Sequence, residues 1–344
     1  MALPVQRLRS VVDLADAMSA PRNLYPSTTV FATVRCVHKS FRLVPTPVVR
    51  KVVDFCFGLV STRYREQYGM EFYEYEFLSS HYHLVANNAC GRITDFLQDL
   101  NALIARELNA VRGTSGAFFD RQPGIQTVLG DDKVLQHCVY TLANAVAAGI
   151  VHKTAHWKGS NSLRFEYGKE YVVERPPVGL WSNKRQHKNR RSSQRSGRAA
   201  FAGRSTLPKT AVIKLDRPPI MPELSDAELR QRIRKAVEVE EALIAAKRQG
   251  KPVLGMKAAL KIHWSTVPKK GEELFGLNPT LSTETLEQRI AMKQLRIEFL
   301  LAYKDALDRW NAGERNVVFP AGTVRMRLRH KAKTEPIPAL LRAA

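Results

Sequence analysis

The sequence has few cysteines. Cys36, Cys56, Cys90 and Cys138 are its only four in 344 residues, and no two stand at CxxC or other zinc-like spacing. That scatter argues against a disulfide framework and against a structural zinc site. Three of the four lie in apolar runs, as buried thiols of a reducing compartment do. No stretch approaches the ~18 uninterrupted apolar residues that a bilayer-spanning helix needs. Residues 1–19 alternate Leu and Val with Arg and Asp, so they lack the apolar core of a signal peptide. Acidic residues are scarce as well: 32 Asp and Glu stand against 54 Lys and Arg, a net charge of +22. Between residues 183 and 214 there are ten Lys or Arg and no acid at all. Cations that neutralise phosphates release condensed counterions, so this balance points to a polyanionic partner, nucleic acid first. A membrane surface fits less well, because no basic helix carries a strongly apolar opposite face. The expected location is cytoplasmic.

A hydrophobic content of 44% is enough to bury a core, and the chain is long enough for two folded units. Residues 28–36 (TTVFATVRC) are rich in β-branched side chains and read as a strand. Residues 48–64 carry apolar positions at helical spacing. Strands are expected at 70–77 and 81–87, and an amphipathic helix at 93–111. A short strand follows at 125–129, then a helix at 133–148, with Asp131 or Asp132 as its cap and Gly149 at its end. The order βαββαβ plus a helix predicts an α+β, ferredoxin-like fold: an antiparallel sheet with helices on one face. A hairpin turning at Gly168 is expected to close this unit. The domain reading is an N-terminal extension (1–27), a catalytic domain (28–177), a basic and disordered linker (178–220), and a mostly helical C-terminal extension (221–344). Within the last, Ser225 and Glu228 form a capping box for a helix running to about Gln249. A second long helix spans about 283–311, with Leu286, Ile290, Leu295, Phe299, Leu300, Tyr303 and Leu307 as its buried stripe. Residues 324–330, if extended, would put Arg325, Arg327 and Arg329 on one side.

The chemistry concentrates in two places. On a strand, residues two apart point the same way, so His81 and His83 share a face while Tyr82 packs on the other. Two adjacent imidazoles are half of a divalent-metal site. The pair alone is a weak signal, since nine histidines in 344 residues produce an HxH in about one shuffled chain in five. Tyr140 and Asn144 add to it. They are four apart on the 133–148 helix and share a face. Asn144 offers an oxygen ligand, and Tyr140 offers a phenol that a metal-polarised phosphate could accept as nucleophile. Arg35, beside the first strand, and Lys184, Arg185, Lys188, Arg190 and Arg191 of the basic segment are candidate phosphate contacts. A histidine-triad hydrolase is a poor reading, because position 85 holds Val85 where that chemistry needs another histidine.

The segments FATVRCVHKSF, SSHYHLVANN, RITDFLQDLNALIARELN and VYTLANAVAAGIV resemble, in that order, the REP-associated tyrosine transposases. These belong to the insertion-sequence-200-like group of HUH nucleases. The C-terminal VVFPAGTVRMRL and PVLGMKAAL resemble an extension found in a longer branch of that group. The resemblance implies that His81, His83 and Asn144 hold Mg²⁺ or Mn²⁺ and that Tyr140 is the nucleophile. Its implied partner is single-stranded or hairpin DNA of the short palindromic REP type, cleaved through a 5′-phosphotyrosine. That would place the protein with a bacterial nucleoid, as a monomer or a homodimer. The chain departs from the family pattern at Ser80, usually Asn, and at Ala145, where Pro usually follows the Asn. The alternative reading is a domesticated, non-catalytic protein that keeps only hairpin binding.

Overall fold

The computed structural model describes residues 21–182, 207–268, 280–338 and 341. The β-branched run becomes strand β1 (Thr29–Arg35). Helix α1 (Pro47–Tyr68) starts where the Thr46 side chain accepts the Val49 amide and where Pro47 sits in the first turn, whose N–H groups lack helical partners. It ends on Gly69 at φ 64°, a left-handed position that suits glycine. The helix runs beyond residue 64 because its last turn is held by tertiary contacts: Arg65 pairs with Asp216 at 2.7 Å. Strands β2 (Phe72–Phe77) and β3 (His81–Asn87) follow, then α2 (Ile93–Arg112), β4 (Gly124–Leu129) and α3 (Asp131–Ala147).

The α+β class holds. The strands pair antiparallel in the order β2-β3-β1-β4, and a fifth, β7 (Leu281–Thr283), adds in parallel to β4. The sheet is therefore mixed, where the sequence suggested a purely antiparallel one. Its helices also cover both faces. On one face Phe57 of α1 packs on Phe72, Tyr75 and Phe96, and Tyr82 donates to Asn101 of α2 at 2.7 Å. On the other, α3 lies over β2 and β3, and α4 (Asp226–Arg248) packs on α3. Sequence periodicity shows that a helix has an apolar face, not which side of the sheet receives it.

The C-terminal half is joined to this unit in three ways. Arg230 of α4 is fully buried and paired with the equally buried Glu74, which also accepts the Tyr167 hydroxyl at 2.5 Å. Leu229, Ile233 and Val237 of α4 join the main hydrophobic core. No break in the core coincides with residue 220. Second, strand β6 (Thr210–Lys214) pairs with β5 (Glu170–Glu174). The expected hairpin about Gly168 is thus replaced by a ribbon whose strands flank residues 183–206, and the tail of the expected linker is ordered. The ribbon lies on α1, so closely that a Cβ at Gly58 would stand 3.1 Å from the Val212 carbonyl oxygen.

Third, Glu284 caps α3. Its Oε1 accepts the Asp132 amide at 2.6 Å, above Gly130, which sits at φ 94°. Asp131 and Asp132 occupy the first turn rather than the cap position, where they still complement the helix dipole. Past a short α5 (Met256–Lys261), the long α6 (Leu286–Asn311) buries Phe299 and Leu300 but leaves Leu286 and Ile290 exposed. Only the C-terminal half of the expected stripe is covered. Residues 325–330 form a short helix, α7, instead of a ribbon. The side chains of Arg325, Arg327 and Arg329 therefore diverge, since helical neighbours on one face are three or four apart. None of the described helices is long and apolar enough to cross a membrane.

Candidate functional site

The site begins with the alternation of β3. Tyr82 is fully buried against Phe77, their rings stacked at 4.5 Å, and its bond to Asn101 fixes which way the strand faces. His81 and His83 consequently project from the opposite face, under α3. Their ring centroids are 4.9 Å apart and nearly perpendicular. Each imidazole is held through Nδ1 by a hydroxyl: Ser80 Oγ lies 3.1 Å from that of His81, and Thr33 Oγ1 lies 2.9 Å from that of His83. Such contacts orient a ring and leave its Nε2 for a further partner. His83 Nε2 is buried and has no hydrogen-bond partner among the described residues. Burial, reinforced by the positive charge of His81, Arg35 and His137, holds the His83 imidazole well below its usual pKa. It therefore stays neutral, the form that binds a metal. This orphaned, neutral donor beside a second histidine fits a divalent cation.

Tyr140 and His83 come together as the helical spacing suggested. The Tyr140 ring stands edge-on to His83 at 5.4 Å, and the side chain is about half exposed. Phe31 is the common wall. Its ring stacks on His83 at 5.1 Å and also touches Tyr140 and His137. Asn144, one turn beyond Tyr140, is buried and does not line the open cleft. Among the described residues no three His, Cys, Asp or Glu side chains converge on one point. A third ligand on this face would therefore be an amide or water.

The cleft itself, about 520 Å³, is lined by Thr33, Arg35, His83, His137 and Tyr140, with the glutamines Gln122, Gln126 and Gln136. Arg35 is brought into it as a neighbour of the histidines, directly across the sheet from His81. Ser282 of β7 also reaches the wall, so the C-terminal half contributes to the site. Lys184, Arg185, Lys188, Arg190 and Arg191 lie outside the described residues. His137 is the functional candidate that the sequence reading passed over. It precedes Tyr140 by three residues, a helical neighbour spacing that could have flagged it. Burial, followed by the charge of Lys133, pushes its pKa down to about 4, so it too is neutral at pH 7.

Glu76 lies across from His83 in the β2–β3 register and is fully buried. Its Oε2 accepts the Ala145 amide at 3.0 Å, while Oε1 has no partner among the described residues. Burial raises its carboxyl well above the usual range. A proline at 145 would have no N–H to give it.

Together these features define a mixed α+β fold with a histidine pair fit for a metal and a tyrosine at the mouth of a polar cleft. No family model and no curated protein matches the chain. Among solved structures it is similar to a REP-associated tyrosine transposase bound to a REP hairpin. The sequence identity is 15% and the TM-score 0.34, and the likeness covers 42% of this chain and 82% of that one.

Proposed function

We propose that this protein is a metal-dependent, single-tyrosine transposase that cleaves and rejoins single-stranded DNA at REP-like hairpins. On this reading its catalytic unit is the ferredoxin-like arrangement of β1 to β4 with the surrounding helices. The observation that carries it is the meeting of Tyr140 with the neutral, partnerless Nε2 edge of His83 in one polar cleft. His81 and His83, with Asn144 as an oxygen donor, would hold Mg²⁺ or Mn²⁺, which when bound polarises the scissile phosphate. The rest is done by the chain itself. Phe31 fixes the angle between His83 and Tyr140. Arg35 and the glutamine amides orient phosphate oxygens in the cleft. The Tyr140 oxygen attacks phosphorus and forms the Tyr–O–P bond to the 5′ side. The P–O3′ bond breaks, the phenol proton passes to solvent, and the departing oxygen is protonated as a 3′-hydroxyl. Attack by that hydroxyl, or by one on another strand, reverses the step. The phosphodiester is restored without an external energy source.

Incubation with a labelled hairpin bearing a single-stranded foot, in the presence of Mn²⁺, should produce a covalent protein–DNA adduct on a denaturing gel. Tyr140→Phe should abolish the adduct, and His83→Ala should reduce it at least a hundredfold, as removal of a metal ligand does in general. Hairpin binding with no adduct across Mg²⁺ and Mn²⁺ would leave a DNA-binding protein and exclude the enzyme.

A further inference from the structure

A second and larger cavity, about 930 Å³, runs between α2, the 116–123 loop and the C-terminal helices α6 and α7. Five cations line it, Arg22, Arg121, Lys304, Arg325 and Arg329, against the two carboxylates Asp95 and Asp120. Asp95 is already engaged by Arg92 at 2.8 Å and lies 3.7 Å from Arg329. Arg121, Lys304 and Arg325 carry no ion pair among the described residues. The fold of α7 creates this arrangement. Arg325 and Arg329 are four apart on a helix, so both face the groove, whereas Arg327 turns away to donate to the Cys90 carbonyl at 2.7 Å. Asp120 and Gln122 line this groove and the Tyr140 cleft alike, so the two are continuous.

We propose that this groove carries the unpaired strand of a DNA substrate across the C-terminal helices and into the cleft at Tyr140. The proposal rests on the DNA-processing reading above and gives residues 286–330 a task within it. A recess flanked by cations concentrates field lines and suits a polyanion. Half-buried Tyr303, packed at 5.7 Å on Phe299, lines the same groove and offers a π-face to an unstacked base. A duplex has its bases stacked inside and could use only the cations. The single strand uses both.

The test uses the full-length Tyr140→Phe chain, which binds without cleaving, and fluorescence anisotropy with two labelled DNAs. One is a hairpin with a single-stranded foot, the other the same hairpin without it. Lys304→Gln combined with Arg325→Gln removes two exposed charges outside the catalytic cleft. Affinity for the footed hairpin should fall about tenfold, and its log-affinity versus log-salt slope should shallow by about two. Affinity for the footless hairpin should stay within about twofold. Independently, 5-bromouracil in the foot should cross-link to peptides from α6 or α7. Equal losses for both DNAs, no loss for either, or cross-links confined elsewhere would overturn the assignment. If the chain bound neither DNA, the DNA-processing reading itself would fall, and this inference with it.

Discussion

Glu76 and Ala145 are best understood as a pair. In the resembled family a proline follows the asparagine, and a proline could not donate to a carboxylate. Here residue 145 keeps its amide and gives it to Glu76, whose other oxygen is already partnerless among the described residues. Ala145→Pro should therefore cost more than the ~3 kcal/mol of an ordinary proline in a helix interior, because it also strips a buried acid of its donor. Glu76→Met fills similar space without needing a donor. In the Ala145→Pro background it should recover about 1–3 kcal/mol, the coupling expected of residues that touch. Urea unfolding of the two single variants and the double variant measures this; strict additivity would mean the pair is not coupled. Nothing in the sequence linked positions 76 and 145. They meet because β2 lies under α3, and that is a tertiary fact. By contrast, the shared face of His81 and His83 and the one-turn spacing of Tyr140 and Asn144 were legible in the sequence, being consequences of strand and helix periodicity alone.

At the level of elements, helix α3 depends on residues far along the chain. Its exposed first-turn amide at Asp132 is satisfied by Glu284, at the end of β7. Gly130 makes the approach possible at φ 94°. Glu284→Ala should lower stability by about 1 kcal/mol, within the usual range for removal of a cap, and Glu284→Gln should retain much of it through its amide oxygen. Gly130→Ala should be worse than Glu284→Ala, since it both blocks the approach and adds left-handed strain. Equilibrium denaturation orders the three, and an equal ranking of Gly130→Ala with wild type would refute the account. The position of α3 was readable from its periodicity, but its true cap was not. Asp131 and Asp132 are good cap types in the right place, and only the arrival of Glu284 displaced them. Strand β7 shows the same limit from the other side. Three residues are too few to signal a strand, and Leu281–Thr283 is one because the edge of β4 is there to pair with.

On the scale of the whole molecule, the net charge of +22 is distributed over at least two regions, the groove beside α6 and α7 and the segment 183–206. The ends of that segment are held by β5 and β6, so its basic residues can be changed without disturbing the ribbon. Replacing Lys184, Arg185, Lys188, Arg190 and Arg191 with Gln should shallow the salt dependence of DNA affinity by about one slope unit for each phosphate that is no longer neutralised. An unchanged slope would make the segment a tether only. The sequence by itself determined what short-range physics controls. That includes the elements of the first 150 residues, the faces on which the histidines and the tyrosine lie, and the attraction to a polyanion. The tertiary structure alone decided which side of the sheet α3 covers and that Tyr171–Glu174 pairs with a strand beyond residue 206. It also decided that α4 belongs to the core through Arg230 and Glu74, and that the C-terminal half borders the cleft. These are choices among partners distant in the chain. Periodicity shows which face of an element must be buried, but the burial that selects its partner exists only once the whole chain has packed.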